Sequence, residues 1–175
     1  IGMRLSQLGV TEKIVEDAVN NGDIVRTHVM RPTWHFVSAD DIRWLLRLTA
    51  PRVQPALNAF DKYTGLDKAL VPRCQSIIAK ALEGMNHLTK QQIGDVLKNN
   101  GIDLDDRILT HTLFHCELDE IVCNGALQGK KQTYSLLDEV APPPKSFDRN
   151  EALEKLALRF FRSHAPATLQ DFVWW

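Results

Sequence analysis

Apolar residues recur at three- and four-residue spacing along most of the chain, and each run is bracketed by residues that start and stop helices. Thr11 precedes a run with Ile14, Val15, Ala18 and Val19 that halts at Asn21-Gly22. Ser38-Ala-Asp-Asp41 opens another with Trp44, Leu45 and Leu48, expected to stop at Ala50 because Pro51 has no N–H to continue it, and to resume past Pro55. Further helices are predicted over Asp67 to Glu83, Lys90 to Asn99 and Asp106 to Asp119. The second of these begins on the capping box Thr89-Lys-Gln-Gln92 and closes at Gly101. Asp148-Arg-Asn-Glu151 repeats the device ahead of Leu153, Leu156, Ala157, Phe160 and Phe161, and a last start falls at Thr168 with Asp171 three residues on.

Two stretches alternate instead, each directly after a helix. Ile24 to Met30 turns at Arg31-Pro32 and returns as Thr33 to Val37; Ile121 to Ala126 turns through Leu127 to Lys131 and returns as Thr133 to Leu137. Asp23-Ile24-Val25 matches Glu120-Ile121-Val122, and both return on Thr-aromatic-polar-apolar-apolar, the second loop being three residues longer. Recurrence of the same helix and hairpin chemistry in the same order implies an internal repeat at about 100 residues. Three helices and a hairpin make a winged helix, whose third helix usually enters the major groove while the wing touches backbone or minor groove. The expected fold is therefore mainly α with small β-hairpins (α+β), as tandem winged-helix units, one complete and two partial. Residues 1–53 would be the end of the first unit, its wing and the following helix; 54–140 the complete second unit; and 141–175 a stiff linker, Ala141-Pro-Pro-Pro-Lys145, with the start of a third.

The 175 residues are 44% apolar and 25% charged with a formal net charge of −1, ordinary for a globular chain, so disorder and fibrous architectures are excluded while charge alone decides nothing about DNA. Three cysteines, Cys74, Cys116 and Cys123, form no C-x-x-C pair and fit a reducing compartment, and no apolar run approaches the roughly 18 residues of a membrane span. The expected location is the cytoplasm, with no membrane partner. Large aromatics at Phe172, Trp174 and Trp175 suggest a fragment of a longer protein, whose remainder packs on Trp174 and Trp175.

Candidate contacts to duplex DNA lie on the first hairpin (Arg26, His28, Arg31, Thr33 and His35), whose alternation can gather polar ends on one side; at the tip of the second (Lys130 and Lys131); and in the helix opening at Asp106 (Arg107 and His111). That helix has a core face of Ile108, Leu109, Leu113 and Cys116, but Phe114 and Leu118 share the opposite face with Arg107, Thr110 and His111. A helix this apolar all round should pack partly on a neighbouring unit, leaving only its start for DNA. His111, His115, Cys116 and Cys123 lack paired close-spaced ligands, so no metal and no cofactor are expected. The four tryptophans, Trp34, Trp44, Trp174 and Trp175, read as core and interface rather than as a base-stacking platform.

The stretch GDIVRTHVMRPTWHFVSADDIRWLLRLTAPRV from Gly22 to Val53, with YSLLDE at Tyr134 to Glu139 and the segment Asp148 to Trp175, resembles the bacterial winged-helix DNA-binding family that includes the AlkZ-type DNA glycosylases. The resemblance spans almost the whole chain. It implies three winged-helix units in a longer parent, and metal-free excision of alkylated or crosslinked bases from DNA. The family's catalytic Gln-x-Gln or Gln-x-Asp pair is implied to lie N-terminal to Ile1. No glutamine here has a glutamine or aspartate two residues on, so no catalytic residue is assigned and the chain alone should be inactive. A non-enzymatic winged-helix regulator is the alternative, requiring a polar recognition helix, and a tandem scaffold for protein partners is a second.

Overall fold

The computed structural model describes residues 11–141 and 146–175, and the chain divides into two compact units, Ile1–Pro143 and Pro144–Trp175. The division expected at 53/54 falls instead inside a helix, and most of the proline-rich linker lies outside the described residues.

In the first unit α1 (Glu12–Asn20) leads into the antiparallel pair β1 (Ile24–His28) and β2 (Trp34–Ser38), then α2 (Ala39–Thr64). A 3-10 turn (Lys68–Leu70), α3 (Val71–Leu82), β3 (Leu88–Thr89), α4 (Lys90–Asn99) and α5 (Asp106–Leu118) follow. The unit closes with β4 (Val122–Asn124), β5 (Thr133–Leu136) and the short α6 (Leu137–Val140). Strands β3, β5 and β4 form one antiparallel sheet in that order. β3 escapes sequence reading because two residues carry no periodicity, and Thr89 is better known there as the N-cap of α4, whose capping box is present.

α2 does not stop at Pro51. It runs 26 residues through Pro51 and Pro55 and ends on left-handed Gly65. The prolines are four apart and exposed, so the lost N–H bonds face solvent, while Val53 and Leu57 on the other side are buried. Burying two such side chains contributes about 1.5–3 kcal/mol each, which at its upper end matches prolines that cost about 3 kcal/mol apiece.

The two hairpins are built alike. Ile24 pairs with Ser38 and Val122 with Leu136, so both ladders close across 14 residues at an offset of 98. Within that equal span the second ladder has three pairs against five, so its loop, residues 125–132, is three residues longer than the first, residues 29–33, as expected. Left-handed Gly22 (φ 77°) and Glu120 (φ 59°) occupy corresponding places at the ends of α1 and α5. This shifts the match by one residue from the one suggested by the acidic positions.

The core of α3 to β5 is Cys74, Ile78, Leu82, Ile93, Leu97, Leu109, Leu113, Cys116 and Val122. All three cysteines are free and buried, and burial pushes the Cys123 thiol up to about 12 and raises Cys74 and Cys116. No helix among the described residues is long and apolar enough to cross a membrane.

The second unit holds α7 (Arg149–His164) and α8 (Leu169–Trp174), the latter opened by a capping box at Thr168. Phe160 gathers Phe161, His164, Phe172 and Trp175 with ring centroids 4.6–5.3 Å away. Trp175 thus packs inside its own unit, while Trp174 is exposed.

Candidate nucleic-acid interface

The decisive element is α5, because every residue from Thr112 to Leu118 is buried. One side enters the core through Leu113 and Cys116; the other receives β1 and α2. On that side α5 packs against β1 and α2 within the same compact unit, through a pair of acid–histidine contacts. The Glu117 carboxylate, 1% exposed, accepts from the His28 backbone N–H (2.7 Å), His28 Nδ1 (2.5 Å), Thr27 Oγ1 (3.4 Å) and Trp34 Nε1 (3.4 Å). His115 Nε2 lies 3.0 and 3.1 Å from the two oxygens of buried Asp61 on α2. A third link closes beyond the helix end, where Arg43 and Arg47 of α2 converge on Glu120, and Arg43 also reaches Asp138. Buried charges require partners of this kind, and here each carboxylate spans two elements distant in sequence.

These contacts fix the first hairpin. The outward N–H groups of Arg26 and His28 on β1 are taken by the side chains of Asn124 and Glu117, which covers an otherwise free strand edge. Met30, left-handed at φ 68°, gives its N–H to Thr49 Oγ1 (3.0 Å), pinning the turn to α2. Arg31, Pro32 and Thr33 remain exposed at the tip. From Ile24 to Ser38 the hairpin has two arginines, two histidines and no carboxylate.

The ladder register decides which predicted residues share a face. Arg26 opposes Phe36 and His28 opposes Trp34, so these four lie on one side; His35 opposes Thr27 on the other. Arg26, His28 and His35 are therefore not gathered together as the alternation suggested. His28 is also not a surface group: it is 8% exposed, bound to Glu117 and stacked on Phe114 at 3.8 Å. His35 is half-buried and donates from Nδ1 to the Thr33 carbonyl (2.9 Å). Trp34 departs from the core reading, being half-exposed with the Arg26 guanidinium 4.4 Å over its ring.

Arg107 is exposed in the first turn of α5, whose N–H groups are capped by Asp105. His111, one turn on, is half-buried against Phe60 (5.6 Å), its Nδ1 without a hydrogen-bond partner among the described residues, and burial holds its pKa below the usual histidine value. Around pH 7 it is a neutral ring rather than a cation for phosphate. Lys130 and Lys131 stand exposed at the tip of the second hairpin beside Gly129, a turn closed by Gln128 and Lys131. Among the described residues no group of histidines, cysteines and carboxylates is arranged to hold a metal ion. Glu117, Asp61 and Asn124, which organise the site, were missed by sequence reading, since a carboxylate mid-helix reads as a solvated position.

The family model for DNA glycosylase AlkZ-like proteins matches residues 4–175. The chain belongs to the AlkZ-like DNA glycosylase family. Among solved structures, Streptomyces sahachiroi DNA glycosylase AlkZ matches with a TM-score of 0.68 at 20% identity, over 93% of this chain and 45% of that one. At that identity the likeness is one of fold, and this AlkZ-like chain spans less than half the length of its structural relative. The comparison with curated proteins gave no match.

Proposed function

We propose that this chain is the DNA-binding, winged-helix portion of a base-excision glycosylase, with β1–β2 and β4–β5 as wings on duplex DNA. The topology of α3, β3, α4, α5, β4 and β5, with β3 paired to β5, supports the winged-helix reading, and the shared register of the two hairpins supports a tandem arrangement. The observation that carries it is the carboxylate-free hairpin Ile24–Ser38, locked at its edge and turn so that Arg31 and Thr33 project from a rigid base. Fixed cationic ribbons suit backbone phosphates, and pre-ordering them lowers the entropic cost of contact. Arg107, Lys130 and Lys131 would add phosphate contacts.

Hydrolysis of the glycosidic bond, eased by the positive charge of an alkylated base, belongs in this proposal to a longer cytoplasmic polypeptide that supplies the polar pair for water and packs further chain on exposed Trp174. No residue here is assigned to bond cleavage. An operator-reading regulator would need α5 free for the major groove, and its buried run from Thr112 to Leu118 weighs against that.

The test is titration of the chain, and of an Arg31→Ala/His35→Ala variant, against duplex DNA at two salt concentrations. Affinity that falls steeply with salt, and a weaker variant with a shallower slope, is expected. Absence of salt-dependent binding overturns the proposal, and equal affinities remove the first hairpin from the DNA surface.

A further inference from the structure

We infer that the face of the first hairpin bearing Trp34 and Phe36 is a wedge that stacks against a nucleobase displaced from the duplex; this deepens, and rests on, the DNA-binding reading above. Both rings are 46% exposed on a hairpin that is otherwise tightly held, and they lie on the same side of it as Arg26. Trp34 is not a loose surface aromatic. Its indole N–H reaches Glu117 (3.4 Å), its ring leans on His28 (5.0 Å), and His28 rests on Phe114 (3.8 Å), so a pillar of rings stands on the buried wall of α5.

Charge selects a nucleobase in DNA as the occupant over an apolar peptide. The guanidinium of Arg26 lies over the Trp34 ring, and Arg31 and Thr33 are exposed at the adjoining tip. Glu117, whose carboxylate takes the Trp34 indole N–H, is already engaged by four donors, and the hairpin from Ile24 to Ser38 carries no carboxylate of its own. An aromatic face beside cations and free of acids suits a π-surface attached to phosphates, because stacking is tolerant of base identity while the arginines take the backbone. A rigid ring also loses little rotamer freedom on contact, which is what prying open a base step requires.

The experiment titrates the whole chain with two labelled duplexes of one length, one fully paired and one holding a single mismatch, whose base leaves the stack at lower cost. The wild type is expected to prefer the mismatched duplex roughly ten-fold, within the range that one base–aromatic stack provides. Trp34→Ala and Phe36→Ala should abolish that preference while keeping paired-duplex affinity within about two-fold and the salt slope unchanged. Trp34→Phe retains a ring and should keep most of the preference, which covers the case of an unfolded alanine variant. No preference in the wild type, or one that survives loss of either ring, overturns the wedge alone. Failure of the wild type to bind either duplex removes the DNA-binding reading and the wedge with it.

Discussion

Replacing Glu117 by glutamine tests the clamp on which the interface stands. The carboxylate is 1% exposed and accepts four donors, the shortest being the His28 Nδ1 contact at 2.5 Å and the His28 N–H at 2.7 Å. Glutamine keeps the shape but offers one oxygen, so its NH2 group must face donors that have nowhere else to go. Breaking a buried pair costs about 3–5 kcal/mol, and the retained oxygen places this change near the low end, about 3 kcal/mol. For a unit of roughly 140 residues that corresponds to a fall in Tm of roughly 6–12 °C. The assay is thermal and urea unfolding of wild type, Glu117→Gln, His28→Phe and the double variant. Phenylalanine preserves the stack on Phe114 and removes only the ring's hydrogen bond, while the backbone N–H of residue 28 stays in all four proteins. The cycle therefore isolates the imidazole–carboxylate contact, with an expected coupling above about 1 kcal/mol. Additive effects within about 0.5 kcal/mol, or a Tm loss under roughly 2 °C for Glu117→Gln, would refute the claim that this pair joins β1 to α5.

Two further outcomes follow from local geometry. A Cβ at Gly125 would overlap His87 Nδ1 and Ser135 Oγ and lie 2.8 Å from Thr133 Oγ1, displacing the Ser135–His87 contact; Gly125→Ala should cost about 2–3 kcal/mol in urea unfolding, and a wild-type midpoint would show that the β4–β5 hairpin yields freely. At His111 the depressed pKa means the unfolded chain takes up a proton that the folded chain resists, so this contribution to stability is complete above about pH 6.5 and is lost as pH falls towards the folded value. Melting curves of wild type and His111→Phe should separate below that pH, and curves that stay parallel would count against burial as the cause.

The helical frame was legible because its signals are local: the capping boxes at Thr89 and Thr168, the caps at Thr11, Ser38 and Asp148, and the paired hairpins all lie where residue chemistry placed them. The errors at the prolines and at His28 share one cause, tertiary burial overriding a local rule. Pro51 and Pro55 break helices when nothing holds the other face, but Val53 and Leu57 are buried on that face. His28 reads as a surface histidine on an alternating strand until Glu117, 89 residues away, is seen to take both its ring and its backbone N–H. Glu117 itself carried a faint signal: it sits among Phe114, Cys116 and Leu118, where a solvated carboxylate would be out of place.

Seven consecutive buried residues on α5 also shape the proposed contact with DNA. A groove-reading helix needs one polar face in water, and α5 has given that face to His28, Asp61 and the base of the first hairpin. Only its first turn, with Arg107, stays open. What α5 gives up there the first hairpin gains in stiffness, since the same contacts hold β1 by its edge and present the Arg31 tip without further ordering. A surface of this kind is poorly suited to reading sequence by base-edge hydrogen bonds but well suited to gripping backbone and testing how easily a base leaves the stack. The proposed role in base excision makes that demand, because damaged bases occur in any sequence and betray themselves through weakened stacking.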